Sequence, residues 1–187
     1  MHKDPTPVQS TAVVGIDFQP RSTGALQHAL SMFAHGIVHE VHLVHVVENE
    51  AVPSRARLEK LTDFTVSLAR ASTGISRRRA FAHTKAGRAR EEIVQLAHDV
   101  GATMIVLGDR SDGRAIDASL FAPFSLMQAG ETLSMECRPH RTPSKCQECT
   151  HIRDRVAGTE MFCVRHARKD RVSKRISVSP RVGLALH

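Results

Sequence analysis

The chain has no tryptophan and no tyrosine, and aromatic residues make up only 4% of it. With so few rings the core must be aliphatic, and a surface that stacks bases or sugars on aromatic platforms is excluded as the main device. Cysteine is missing from everything before Cys137, so disulfides cannot organise the bulk of the fold. Long apolar runs are missing too. The longest, around Val41–Val47 and Ala102–Leu107, are far too short to cross a bilayer. Met1-His2-Lys3-Asp4-Pro5 is polar and leads into no apolar stretch, so no secretory leader is read and a cytoplasmic location is expected.

What is present is 187 residues, 41% of them hydrophobic, enough for one substantial core. The net charge of +7 is unevenly spread. From Arg138 onward there are twelve Lys and Arg against four Asp and Glu, while the preceding residues nearly balance. A basic tail of this kind is a solvated surface or a contact for acidic partners and nucleic acid.

Apolar periodicity alternates between strand and helix. Thr11–Phe18 (TAVVGIDF) is a β-branched run ending at Asp17 and a turn with Pro20. Ser22 is read as the cap of a helix through Phe33, closed by Gly36, and Glu40–Val47 (EVHLVHVV) is a second strand. Pro53 opens a helix to Ala69, and Arg79–Ala82 is a weaker third strand. Ala89–Val100 (AREEIVQLAHDV) is an amphipathic helix and Thr103–Leu107 the clearest strand. Residues 115–129 read as a last helix and Thr132–Cys137 as a half-polar final strand. The alternation predicts an α/β fold: a doubly wound, five-stranded, mostly parallel sheet with helices on both faces. Ligands of such sheets sit beyond the carboxyl ends of the strands, where Asp17 and the Gly108–Gly113 segment should meet. His39, His42 and His45 suggest a metal cluster, but side chains alternate along a strand and these cannot converge.

Several of these motifs, in this order, resemble the universal stress protein family. They are Asp17 after the first strand, Ser22 with Ala25-Leu26, Leu43–Val47, Gly87-Arg88-Ala89 with Glu92-Ile93, and Gly101–Gly108. The resemblance covers about residues 11–139. It implies a stress-related protein, commonly a homodimer paired through its last strand. In nucleotide-binding members a glycine loop holds phosphate, and the residue matching Asp17 contacts adenosine. Here Gly108 matches the first glycine, Ser111 stands at the second, and Phe121-Ala122 replaces the final glycine and hydroxyl. Asp109 and Asp112 add negative charge where phosphate would lie. The phosphate loop reads as degenerate: Asp17, Gly108 and Ser111 are the nucleotide-site candidates, and ATP is a doubtful cofactor.

The tail carries a different signal. Cys146, Cys149, Cys163 and His166 have the spacing C-x2-C-x13-C-x2-H, two close pairs that supply a tetrahedral set of three sulfurs and one nitrogen. They are read as ligands of one structural zinc in a small, zinc-ribbon-like module, which also resembles an extension of some bacterial universal stress proteins. A redox pair is the competing reading. Such motifs usually open a helix, whereas Pro143 precedes this one. His140 and His151 are worse-spaced alternatives, and Cys137 reads as a buried thiol.

The organisation expected is a flexible 1–10, an α/β domain over 11–139, a zinc module over 140–170 and a basic flexible tail over 171–187. Because the ligands lie outside residues 11–139, the module should be separable from the α/β domain. No nucleophile–base pair or paired carboxylates stand out, so a non-enzymatic regulatory or binding protein is expected. Nucleic-acid binding through Arg165, Arg168, Lys169, Arg171, Lys174 and Arg175, or ATP binding in the crevice, are the alternatives.

Overall fold

The computed structural model describes residues 10–48, 54–71, 79–108, 125–128, 146–154 and 161–176. Six strands, β1 (Thr11–Gly15), β2 (Glu40–Val47), β3 (Arg79–Ala86), β4 (Met104–Leu107), β5 (Ser125–Gln128) and β6 (Arg171–Ile176), form one sheet in the order β5-β4-β1-β2-β3-β6. The first five are parallel, as expected. The sixth pairs antiparallel with β3, Ala80 opposite Ile176 and Lys85 opposite Arg171.

Two expectations are corrected by these strands. Arg171–Ile176 belongs to the sheet and not to a flexible tail. Its alternation places Val172 and Ile176 against the core, a pattern that the three charges and Ser173 conceal when the segment is read by composition. Ser125–Gln128 is a strand, although helix was read over 115–129. Leu126, Met127 and Gln128 favour helix locally, and pairing with β4 overrides that preference. The expected strand at Thr132–Cys137, through which a dimer was to pair, lies outside the described residues.

Helices α1 (Pro20–Ala34) and α2 (Arg55–Ala71) cover one face of the sheet. Ser22 does not cap α1. Gln19 holds that position with Pro20 in the first turn, where its missing N–H is harmless. Ser54 starts α2, its hydroxyl accepting from Arg57 N at 3.3 Å. Helix α3 (Ala89–Val100) keeps its expected bounds and ends on Gly101, whose φ of 64° closes the last carbonyls as only glycine does easily. It lies on the second face with Ile93, Leu96, Ala97 and Val100 packed on Val13, Phe81 and Ile105.

The rest of the second face is covered by the cysteine segment. Helix α4 (Gln147–Asp154) and residues 161–171 place Cys149, Met161, Phe162 and Cys163 in the same buried cluster as α3. The module thus packs into the core that closes the sheet. It is not a ribbon, since the first cysteine pair sits at the start of a helix.

Phe162 is the wedge of this packing. Its ring contacts His83 at 5.8 Å between centroids and carries the Arg171 guanidinium at 3.4 Å. Arg171 is fixed in turn by Asp99 of α3, at 2.6 Å, and by the His166 carbonyl. Phe162→Ala should lower the free energy of unfolding in urea by about 3–5 kcal/mol, the usual cost of removing a core phenylalanine. Wild type should unfold in one transition by far-ultraviolet circular dichroism. Two separated transitions, with only one moved by the substitution, would mean that the module is an appendage.

Candidate metal centre and nucleotide crevice

On one side β1 is flanked by β2 and on the other by β4, so the strand order reverses there. The carboxyl ends of β1 and β4 open the crevice where ligands of such sheets bind. Asp17 and Gly108 both reach it, each against the first turn of α1. One Asp17 oxygen accepts from the Gln19 amide at 2.9 Å and the other from Arg21 Nε at 3.0 Å. Burial pushes its carboxyl upward, but the Gln19 amide, the Ser22 hydroxyl and Arg21 outweigh that and hold it below the usual range. The carboxylate is thus engaged in capping the turn. A Cβ on Gly108 would come within 2.6 Å of the Arg21 backbone, so glycine here is needed for strand and helix to approach. Ser111, Asp109, Asp112 and Phe121-Ala122 lie outside the described residues.

Next to Asp17, Phe18 has φ of 62°, which is uncommon for a side chain of its size. The turn is held by packing: the Phe18 ring lies 4.6 Å from His45, 5.6 Å from Phe64 and 4.4 Å from Lys60 Nζ. His45 Nδ1 is 2.8 Å from the Ile16 carbonyl. Burial holds its imidazole below the ordinary range, with Arg57 and Lys60 acting the same way. His42 lies on the other face of β2, as alternation requires, and His39 is exposed.

Cys146, Cys149, Cys163 and His166 converge. Their ligand atoms all lie within 4.8 Å of one another. Cys163 Sγ is 3.8 Å from Cys146 Sγ and 3.5 Å from Cys149 Sγ, and His166 Nδ1 is 3.3 Å from both Cys149 and Cys163 Sγ. A tetrahedral ion about 2.3 Å from sulfur and about 2.0 Å from nitrogen needs edges of roughly 3.8 Å and 3.5 Å. The set fits. The thiols are unbridged, since a disulfide needs about 2.05 Å. The Cys163 amide also donates to Cys149 Sγ at 3.3 Å, as amides commonly do to thiolate ligands. His151 is exposed and stands outside the set.

One argument from sequence is overturned here: Cys146 immediately precedes α4 and Cys149 lies in its first turn, so the pair does open a helix. Pro143 did not prevent it. The two thiols differ sharply. The Cys149 backbone amide draws the Cys146 thiol down to about 7, and burial pushes Cys149 up to about 12.

A third polar group went unnoticed in the sequence. Glu40 Oε1 lies 2.7 Å from His42 Nε2, His42 Nδ1 lies 2.9 Å from His83 Nε2, and the Ser173 hydroxyl lies 2.7 Å from His83 Nδ1. Arg79 (3.1 Å) and Arg153 of α4 (3.2 Å) pair with Glu40. The signal was polar residues at inward positions of strands, Glu40 and His42 on β2 and His83 on β3. Ser173 could not be added without knowing that β6 pairs with β3. Of the six cations proposed for nucleic acid, Arg171 is buried on Asp99 and Arg168 is held by Asp170 at 2.6 Å. That leaves a thinner positive surface than the run suggests.

No curated protein matches the chain. Among solved structures it is similar to a universal stress protein from Archaeoglobus fulgidus, at 20% identity over 64% of this chain and 92% of that one, with a TM-score of 0.48. A universal stress protein in complex with cAMP follows at 18% identity, 64% and 95% coverage and a TM-score of 0.47. The Archaeoglobus fulgidus protein in complex with dAMP matches at 19%, 64% and 96%, with a TM-score of 0.46. The model of the universal stress protein family matches residues 10–120, more than half of the chain and all of the sheet through β4. The chain belongs to the universal stress protein family.

Proposed function

We propose that this chain is a non-enzymatic regulatory member of its family in which a structural zinc ion fixes the second face of the sheet. The observation that carries the reading is the convergence of Cys146, Cys149, Cys163 and His166, with Cys149 and Cys163 inside the core cluster. Three sulfurs and one imidazole are a donor set suited to zinc, and four protein ligands leave no position for water, so the metal would hold shape and not catalyse. A thiol pair acting alone would not need Cys163 and His166 at tetrahedral distances.

The crevice at β1 and β4 supports a weak nucleotide site at most. Related structures contain cAMP and dAMP. In this chain Asp17 is engaged with Gln19 and Arg21, and Ser111 and Phe121 replace glycines of the phosphate loop. Isothermal titration should give ATP a dissociation constant weaker than micromolar. A micromolar constant that is lost in Asp17→Ala would establish a working nucleotide site instead.

Protein purified without a chelating tag should contain one zinc per chain by elemental analysis. Well under one, with the described thiols free to a titrating reagent, would refute the centre. The buried Cys149 thiol must lose its proton to ligate, so binding releases at least one proton per ion. Zinc affinity should therefore fall at least about tenfold for each pH unit as the pH is lowered from about 8 to about 6. An affinity independent of pH would show that the thiols are not ligands.

A further inference from the structure

The pairing of β6 with β3 brings Ser173 to the end of a buried chain of side chains that, with His42 neutral, has one proton arrangement. Glu40 is paired with Arg79 and Arg153, and an ionised carboxylate only accepts hydrogen bonds. His42 Nε2 must then donate to Glu40. A neutral imidazole with its proton on Nε2 can only accept at Nδ1, so His83 Nε2 donates to His42. His83 Nδ1 is left as an acceptor, and the Ser173 hydroxyl donates to it at 2.7 Å. The carboxylate thus sets both tautomers and points a lone pair at the serine. Burial, together with His42, Arg171, Lys85 and Arg153, holds His83 well below the ordinary histidine range, so its resting form is the free base.

Ser173 is not sealed inside. It is half-buried and lines an open pocket of about 230 Å³ with Met161, Phe162, Val164, Arg168 and Arg171. Val164 is 91% exposed, an apolar side chain without cover on the pocket wall. Both arginines already hold carboxylates, Asp170 for Arg168 and Asp99 for Arg171. The pocket is of mixed polarity: Met161, Phe162 and Val164 form its apolar part, with a serine at its edge. A serine with a base beside it and a third group fixing the base is the arrangement that activates hydroxyl nucleophiles.

We propose that Ser173 is a nucleophile that accepts a small apolar acyl group from an activated carboxylic ester, with His83 as general base and His42 and Glu40 as positioning residues. Ser173 Oγ bonds to the carbonyl carbon and its proton passes to His83 Nδ1. The bond from carbonyl carbon to leaving oxygen breaks, and that oxygen takes the proton from His83. The products are O-acyl serine and the free alcohol. One acyl group per chain makes this a modification site, compatible with a protein that does not turn over substrate.

The experiment uses the full-length protein and p-nitrophenyl acetate. The release of p-nitrophenolate should show a burst of about one equivalent per chain, and peptide mass mapping should place the acetyl group on Ser173. Ser173→Ala, a small change at a half-buried position, should remove both. His83→Gln should slow labelling about 100-fold or more, the scale of general-base assistance. His42→Gln should slow it by a smaller factor at unchanged zinc content. Acetyl found only on lysines or on Cys146, or labelling of Ser173 at the wild-type rate in a folded His83→Gln protein, would overturn the proposal.

Discussion

The structure depends on one constraint: half of the second face of the sheet is polar and must be both satisfied and covered. Glu40, His42, His83, Lys85, Arg171 and Ser173 point to the side of β2, β3 and β6 that α3 only partly reaches. Left to water, that side would cost the sheet its second layer. Left under an apolar helix, its polar groups would be stranded at a few kcal/mol each. The chain pairs these charges with its own tail and with α3. Arg153 of α4 pairs with Glu40, Arg171 bridges to Asp99, and Lys85 Nζ meets Glu92 Oε2 of α3 at 2.5 Å. Phe162 then lies between His83 and Arg171 as the apolar lid.

Seen this way, the cysteine and histidine set has a structural task of its own. Removing one partner of a buried ion pair typically costs about 3–5 kcal/mol, because the other charge stays behind unpaired. A cover that carries Arg153 into the sheet must therefore hold its position closely. The segments that carry it are short: α4 has eight residues, and helices of that length have little stability alone. A metal ion held by the proposed four ligands would join the start of α4 to residues 163–166 and offset that weakness. The crevice at β1 and β4 is a contrasting case. It keeps the topology that serves ligands elsewhere, but its carboxylate closes a turn and its glycine admits the backbone of α1.

The parts of the fold that were legible in the sequence are those where local pattern and tertiary role agree. Glu40–Val47 and Ala89–Val100 keep their expected bounds because alternation and helical periodicity are uninterrupted there. The four metal-ligand candidates were legible from spacing alone, because close pairs of ligands leave a signature that packing cannot hide. Three things were not. β6 looks like a basic tail until its pairing with β3 is known, since edge strands carry charge. Ser125–Gln128 favours helix locally and is made a strand by its neighbour. The relay from Glu40 to Ser173 spans residues of β2, β3 and β6, so no local window contains it.

The central claim is that the module closing the second face depends on its metal-ligand set. Hydrogen–deuterium exchange of the full chain, before and after removal of metal by a chelator under reducing conditions, tests it most directly. The account predicts that amides of β6 and the β3 strand beside it lose protection together with α4, while α1 on the other face and β1 in the middle of the sheet keep theirs. Loss confined to α4 and residues 161–166, with β3 and β6 unchanged, would contradict it.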